Sequence, residues 1–302
     1  MTTSPQVFEL VDPARPALRG SGPRPLRTTV WRPAAARSPV VLLSHGTGGH
    51  ATNLAWLAEA LADAGWAVVG VDHHGNTAAD PPYVAEAFAR WWERPLDLRR
   101  ALDQVLAGAA GQELAAALDP ERVVAVGFSL GGYTAGALVG TRVSRAAFEA
   151  AARGRATLPP VPEYPGLVDE LRARYGADPE PLLAGCDDDV SDPRVRAAVL
   201  ICPSVAVALD PASLAAVRCP VTVLSGGADD QVLPDVDIAI YAGRIPGAVH
   251  HSLGPGVRHY DLLDAATPAA RTEVHALAAR LTVEALAPVA AAGAGRAGVG
   301  GP

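Results

Sequence analysis

The sequence predicts an α/β fold, a mostly parallel twisted sheet with helices on both faces. Three observations predict it. Short β-rich runs alternate with longer Ala/Leu-rich segments along the chain. Several of these runs, "PVVLLSHG" (39–46), "WAVVGVDH" (66–73) and "RVVAVGFS" (122–129), are almost continuously apolar, as strands covered on both faces must be. Segments between them carry apolar residues at helical spacing, as Leu54, Leu57 and Leu61 do.

Each element follows in order. "RTTVWRP" (27–33) is an early strand that ends at a proline, and 39–46 is the next. "TNLAWLAEALADAG" (52–65) is a helix stopped by Gly65, leading into the strand 66–73. "RPLDLRRALDQVLAG" (94–108) is a helix with Pro95 near its start. The strand 122–129 runs straight into a helix from Leu130. "VRAAVLICPS" (195–204) and "PVTVLSGGAD" (220–229) are two more buried strands, and "GAVHHSLG" (247–254) is the last. "TPAARTEVHALAARLTVEAL" (267–286) closes as a helix. The excursion before the strand at 195 is long for a connection. It holds helical "VSRAAFEAAARG" and "GLVDELRARYG" around proline-rich "TLPPVPEYP". Residues 141–193 are therefore expected to form a helical cap inserted into a core of 1–140 and 194–290; the alternative is extra helices on the flank. The tail 291–302, "AAGAGRAGVGGP", buries too little to order itself.

Composition narrows the function. Of 302 residues, 49% are hydrophobic and 19% charged, a globular balance. The net charge is −7, all basic residues are Arg, and no basic run occurs, which argues against a nucleic-acid partner. The first residues, "MTTSPQVFELVDPARP", have neither the basic nor the apolar region of a signal peptide. No apolar stretch reaches membrane-spanning length without Gly, Pro or charge. The expectation is a cytoplasmic protein with no membrane partner. Cys186, Cys202 and Cys219 form no C-x-x-C pair and have no His at ligand spacing, so they read as buried small hydrophobes, with no metal; one disulfide is the alternative.

Chemistry enters at "VVAVGFSLGGYTAG" (123–136), where one serine stands between glycines just as a strand gives way to a helix. That is the setting of a nucleophile elbow, which pushes the Ser129 side chain out at the sheet's edge. A serine hydroxyl needs a base, and the base needs an orienting acid. Among the later histidines, His250 and His251 fall within a strand and His275 within the final helix. His259 follows "GPGVR", in a loop just past the last strand, and is the base expected. "VTVLSGGADDQVLP" offers Asp229 and Asp230 past a strand end, and either can reach the histidine. "SHGTGG" (44–49) ends an earlier strand and brings the Thr47 amide toward the oxyanion; Leu130, just after the serine, supplies the second N–H. No G-K-[ST] follows those glycines, so a phosphate loop is not expected. His73, His74, Tyr83, Trp91 and Trp92 are candidates for lining the pocket, against the alternative of a structural loop and a helix packing face.

These residues resemble the α/β-hydrolase superfamily over most of the chain. More narrowly, the sequence is similar to the serine-containing relatives of dienelactone hydrolase, a group with platelet-activating-factor acetylhydrolase-like esterases and polyester-degrading cutinases. The matching stretches are "DPAR" (12–15), "RTTVWRP" (27–33), "VVLLSHGTGG" (40–49), "VDHHGNT" (71–77), "GFSLGGYTA" (127–135), "GADDQVLP" (227–234) and "RHYDLL" (258–263). The resemblance implies Ser129 as nucleophile, His259 as base, and Thr47 and Leu130 as oxyanion donors. In that group the acid commonly stands four residues before a proline, so Pro234 selects Asp230. It implies a cofactor-free serine esterase acting on a small-molecule ester. Dienelactone hydrolases themselves use cysteine, so serine here points away from dienelactone as substrate. An acyltransferase or lyase-like enzyme with the same triad, and a non-catalytic binding protein, are the alternatives.

Overall fold

In the computed structural model, which describes residues 4–33, 37–153, 161–176, 178, 180–263 and 269–292, eight strands form one sheet. They are β1 (Gln6–Pro16), β2 (Pro23–Trp31), β3 (Ser38–Ser44), β4 (Ala67–Asp72), β5 (Leu118–Phe128), β6 (Val195–Ile201), β7 (Val221–Ser225) and β8 (Val249–Ser252). Their spatial order is β1-β2-β4-β3-β5-β6-β7-β8. β2 pairs antiparallel with β1 and β4, and every other pairing is parallel.

Every residue of β3 and β4 is buried. Alternate side chains feed opposite faces, because strand side chains alternate. Val40 and Leu42 join one apolar cluster, with Leu98, Leu102 and Leu138 from the helices Arg94–Leu106 and Leu130–Leu138. Val41 and Leu43 join the other, with Leu57 and Leu61 from the helix Ala55–Asp63 and Leu286 from Ala269–Ala291. That last helix includes Arg271–Ala291, long and apolar enough by length and composition to cross a membrane. Here it lies across the sheet, with Ala278, Thr282 and Leu286 fully buried and His275 stacked on Trp56.

β1 is a strand the sequence did not announce. Its residues are mostly exposed and include Pro13 and Pro16, so it lacks a buried run. Pairing with β2, Gln6 opposite Val30 through Asp12 opposite Arg24, holds it at the sheet edge, where proline is tolerated.

The excursion 141–193 divides by what it touches. Val143, Phe148, Leu183, Cys186 and Val190 join the first core cluster. The helix Leu167–Tyr175 instead docks beside Ala85–Ala89, with Leu167 against Ala85 and Phe88, and Arg174 and Tyr175 bonded to Glu86. Part of "TLPPVPEYP", and the tail from 293, lie outside the described residues.

Parallel register brings the C-terminal ends of the strands to one edge: Ser44 lies opposite Gly127, Phe128 opposite Ile201, and Ser225 opposite Ser252. In open sheets of this kind ligands bind beyond that edge.

Candidate active site

β5 ends at Phe128, and the helix starts at Leu130. Ser129 between them has φ 57° and ψ −121°, a backbone conformation that costs a non-glycine residue about 1–3 kcal/mol. The turn is tight enough to require glycine on both sides. A Cβ on Gly127 would lie 1.9 Å from the Gly131 carbonyl oxygen, and one on Gly131 would lie 2.0 Å from that of Ser44. Gly131→Ala is therefore expected to destabilise the protein by about 3 kcal/mol or more, since backbone cannot yield as a side chain can. Urea unfolding measures it; a wild-type midpoint with retained activity would show that the helix has room to shift.

At the strand-end edge three loops converge. The Ser129 hydroxyl donates to His259 Nε2 at 2.9 Å, and His259 Nδ1–H donates to Asp229 Oδ2 at 2.8 Å. An ionised carboxylate only accepts, which assigns the proton to Nδ1 and leaves Nε2 free to take one from serine. All three residues are buried, Ser129 to 8% exposure. Burial raises the Asp229 pKa, but the bond from His259 and the amides of Val232 and Gln231 outweigh it and hold the carboxyl below its ordinary value.

The carboxylate against His259 is thus Asp229, and the expectation of Asp230 is corrected. Asp229 Oδ1 accepts the backbone N–H groups of Gln231 (3.0 Å) and Val232 (2.8 Å), a tight local turn. That turn aims Oδ2 back at the imidazole and turns Asp230 out to solvent. One residue performs both tasks, orienting the histidine and closing the turn.

A cavity of about 30 Å³ opens on Ser129 and His259. Thr47, Gly46, Gly49, Asn53, Phe128 and Leu263 form its walls. Glu163 and Tyr260 also line it, and Tyr260 Oη donates to Glu163 Oε1 at 3.2 Å. Leu130 opens the helix directly behind Ser129, so its N–H belongs to the first turn, where no intrahelical acceptor exists.

The five pocket candidates lie elsewhere. Trp91 and Trp92 are buried in the core, Trp91 edge-on to Tyr133 at 4.5 Å and Trp92 edge-on to Phe148 at 5.0 Å. Their rings follow the packing face of the adjoining helix. His73 is fully buried between Ser44 Oγ (3.0 Å) and Asp97 Oδ2 (2.9 Å). His74 is buried 3.7 Å from Asp80, with burial, then the nearby Arg24, lowering its pKa. Tyr83 stands one layer back, donating to the Gly48 carbonyl at 2.8 Å. Asn76, within "VDHHGNT", accepts the Gly48 N–H at 2.7 Å, so that motif serves the loop and not the cavity. Glu163, Asn53, Phe128, Tyr260 and Leu263 were not anticipated; the signal for Tyr260 was its place beside His259, and Glu163 lay in a segment matching no motif.

Among the described residues, one group of metal-ligand type draws together: Cys202, Asp229 and His259, with ligand atoms within 4.8 Å. The Asp229 and His259 atoms already bond each other, and burial pushes the Cys202 thiol well up, away from the thiolate a metal binds. All three cysteines are free thiols.

Comparison with known proteins bears on the fold. The family profile described as "Serine aminopeptidase, S33" matches residues 35–165, less than half of the chain. No curated protein matches the chain by sequence. A ferulic acid esterase from Streptomyces cinnamoneus is similar in structure, with a TM-score of 0.59 and 18% identity over 94% of this chain and 88% of that one. So is a puromycin-hydrolyzing peptidase of Mycobacterium tuberculosis, with a TM-score of 0.57 and 15% identity over 95% of this chain. This chain spans 39% of that peptidase's length. Strand order, elbow and these likenesses make the architecture an α/β-hydrolase fold.

Proposed function

We propose that this α/β-hydrolase-fold chain is a serine hydrolase and that it cleaves a small carboxylic ester or lactone through an acyl-enzyme. The observation that carries the reading is the unbroken chain Ser129–His259–Asp229 at the wall of a cavity. His259 Nε2 takes the serine proton as Oγ attacks the carbonyl carbon. The Thr47 and Leu130 amides face the oxygen that gains the charge. His259 then passes the proton to the leaving alkoxide, Ser129 keeps the acyl group, and water repeats the sequence to release the acid. Asp229 holds the imidazole in the tautomer each step needs. A fluorophosphonate probe tests the reading: it should label wild-type protein at Ser129, and absence of labelling overturns it.

The finer likeness, to serine-containing relatives of dienelactone hydrolase, rests on the motif residues. An amide substrate is the second reading, favoured by the description of the matched family profile. Parallel kinetics on a p-nitrophenyl ester and the matching p-nitroanilide decide between them.

We read 161–166 as the part of the 141–193 segment that selects substrate size. Glu163, braced by Tyr260, closes one side of a cavity of about 30 Å³, room for little beyond a short acyl group. p-Nitrophenyl acetate should therefore turn over faster than the hexanoate, by about tenfold or more. Glu163→Ala should shrink that preference roughly tenfold by opening the wall. An unchanged acetate-to-hexanoate ratio in the variant would place the size filter elsewhere.

A further inference from the structure

The molecule holds a second Ser–His–Asp array. Ser44 Oγ lies 3.0 Å from His73 Nε2, and His73 Nδ1 lies 2.9 Å from Asp97 Oδ2. The distances match those of the active array, but the setting does not. Ser44 ends a regular strand and has no exposure, and neither it nor His73 lines the cavity at Ser129. Burial, with the Arg94 cation close by, pushes the His73 pKa down to about 4, which makes it a weak base. An array so placed has no access to a substrate, and what it touches reveals its work.

It touches the loop that carries Thr47. Arg94, fully buried and pushed down to about 9 by that burial, donates through Nη2 to the His45 carbonyl and, at 3.4 Å, to Ser44 Oγ. The His73 backbone N–H donates to His45 Nε2 at 3.2 Å. A nitrogen that accepts carries no proton, so the proton of neutral His45 sits on Nδ1. Burial first, then Arg94 and His73, keep that ring neutral. Nδ1–H in turn donates to the carbonyl of Gly46 at 2.6 Å, which also takes the Gly49 N–H at 3.3 Å. The peptide joining Gly46 to Thr47 is trans, so its C=O and N–H point in opposite directions. Fixing the Gly46 oxygen inward turns the Thr47 N–H outward, on the side where Thr47 lines the cavity.

We propose that His45 is the positioning residue of the oxyanion hole: through Nδ1–H it holds the Gly46 carbonyl and so aims the Thr47 amide at the substrate's carbonyl oxygen. Arg94, bonded to Ser44 of the Asp97–His73–Ser44 array, anchors the backbone of His45 through its carbonyl. The inference rests on the serine-hydrolase reading above.

Two substitutions of similar size separate the contacts. The side-chain amide introduced by His45→Asn reaches where Nδ1 was, so it keeps the Gly46 contact and loses the one to His73. His45→Gln reaches where Nε2 was and does the reverse. Each variant, and wild type, is measured for kcat and KM on p-nitrophenyl acetate and for the rate and final extent of fluorophosphonate labelling. His45→Gln should lose about 10²-fold in kcat and in labelling rate, the effect of a lost oxyanion donor, with KM little changed and labelling still complete. His45→Asn should stay near wild type. Equal losses, a slower His45→Asn variant, or a loss that appears as a smaller labelled fraction at unchanged rate would overturn the proposal in favour of a purely structural His45. Failure of wild type to label overturns the hydrolase reading instead. If neither variant folds, ¹⁵N spectra of wild-type protein read the tautomer directly: a proton on Nδ1 of His45 supports the proposal, and one on Nε2 refutes it.

Discussion

Ser129→Ala is expected to lose about 10⁶-fold in ester turnover while remaining folded, the loss seen when the nucleophile of such a triad is removed. The expectation follows from position as well as residue type. Ser129 is the hydroxyl bonded to His259, and it is held at a cavity wall by a turn that Gly127 and Gly131 make possible. Labelling by a fluorophosphonate should vanish with turnover. Ser129→Gly makes the same point through stability. Its φ of 57° is strained for serine and ordinary for glycine, so this variant should be as inactive but about 1 kcal/mol more stable by urea unfolding. A folded alanine variant that still turns over at a tenth of the wild-type rate (about 1.4 kcal/mol of barrier) would move the reacting group away from Ser129.

Asp229→Asn is expected to cost on the order of 10⁴-fold in kcat, and Asp230→Asn almost nothing. The asymmetry comes from the bond between Asp229 and His259 Nδ1. An asparagine there can present its NH₂ to the ring, which favours the tautomer with the proton on Nε2, the nitrogen that must accept from serine. Asp230 is exposed, and the carboxylate bonded to the ring is that of Asp229. The Asp229 variant also keeps an acceptor for the Gln231 and Val232 amides, so its stability should change far less than its rate. Steady-state kinetics with parallel thermal melts measure both. A larger kinetic loss at Asp230 would mean that the working enzyme uses the other carboxylate.

The strands, the elbow and the histidine were readable because each is written locally. A strand buried on both faces must be apolar throughout, and "VVLL" in β3 and "VVAV" in β5 are. A tight strand-to-helix turn must have glycine where backbones nearly touch, and "GFSLG" has it on both sides of Ser129. His259 was readable because only it, of the four later histidines, lies past a strand end, where it opens the short 3-10 turn His259–Leu262; His250 and His251 lie in β8 and His275 in the final helix.

Other features depend on contacts between distant segments. Asp229 and Asp230 are chemically alike and adjacent, and their difference lies in which oxygen is left over once the turn amides are satisfied. Trp91 and Trp92 could face a cavity or a core by sequence, and packing against Tyr133 and Phe148 sends them to the core. β1 becomes a strand because β2 offers it an edge to pair with. Glu163 reaches the cavity because its segment docks through Leu167 on Ala85 and Phe88, some eighty residues earlier in the chain. Pattern reveals which backbone will form and which chemistry it can carry; the final placement of a carboxylate or a ring is set by long-range packing, where about 1 kcal/mol per contact selects one orientation among several.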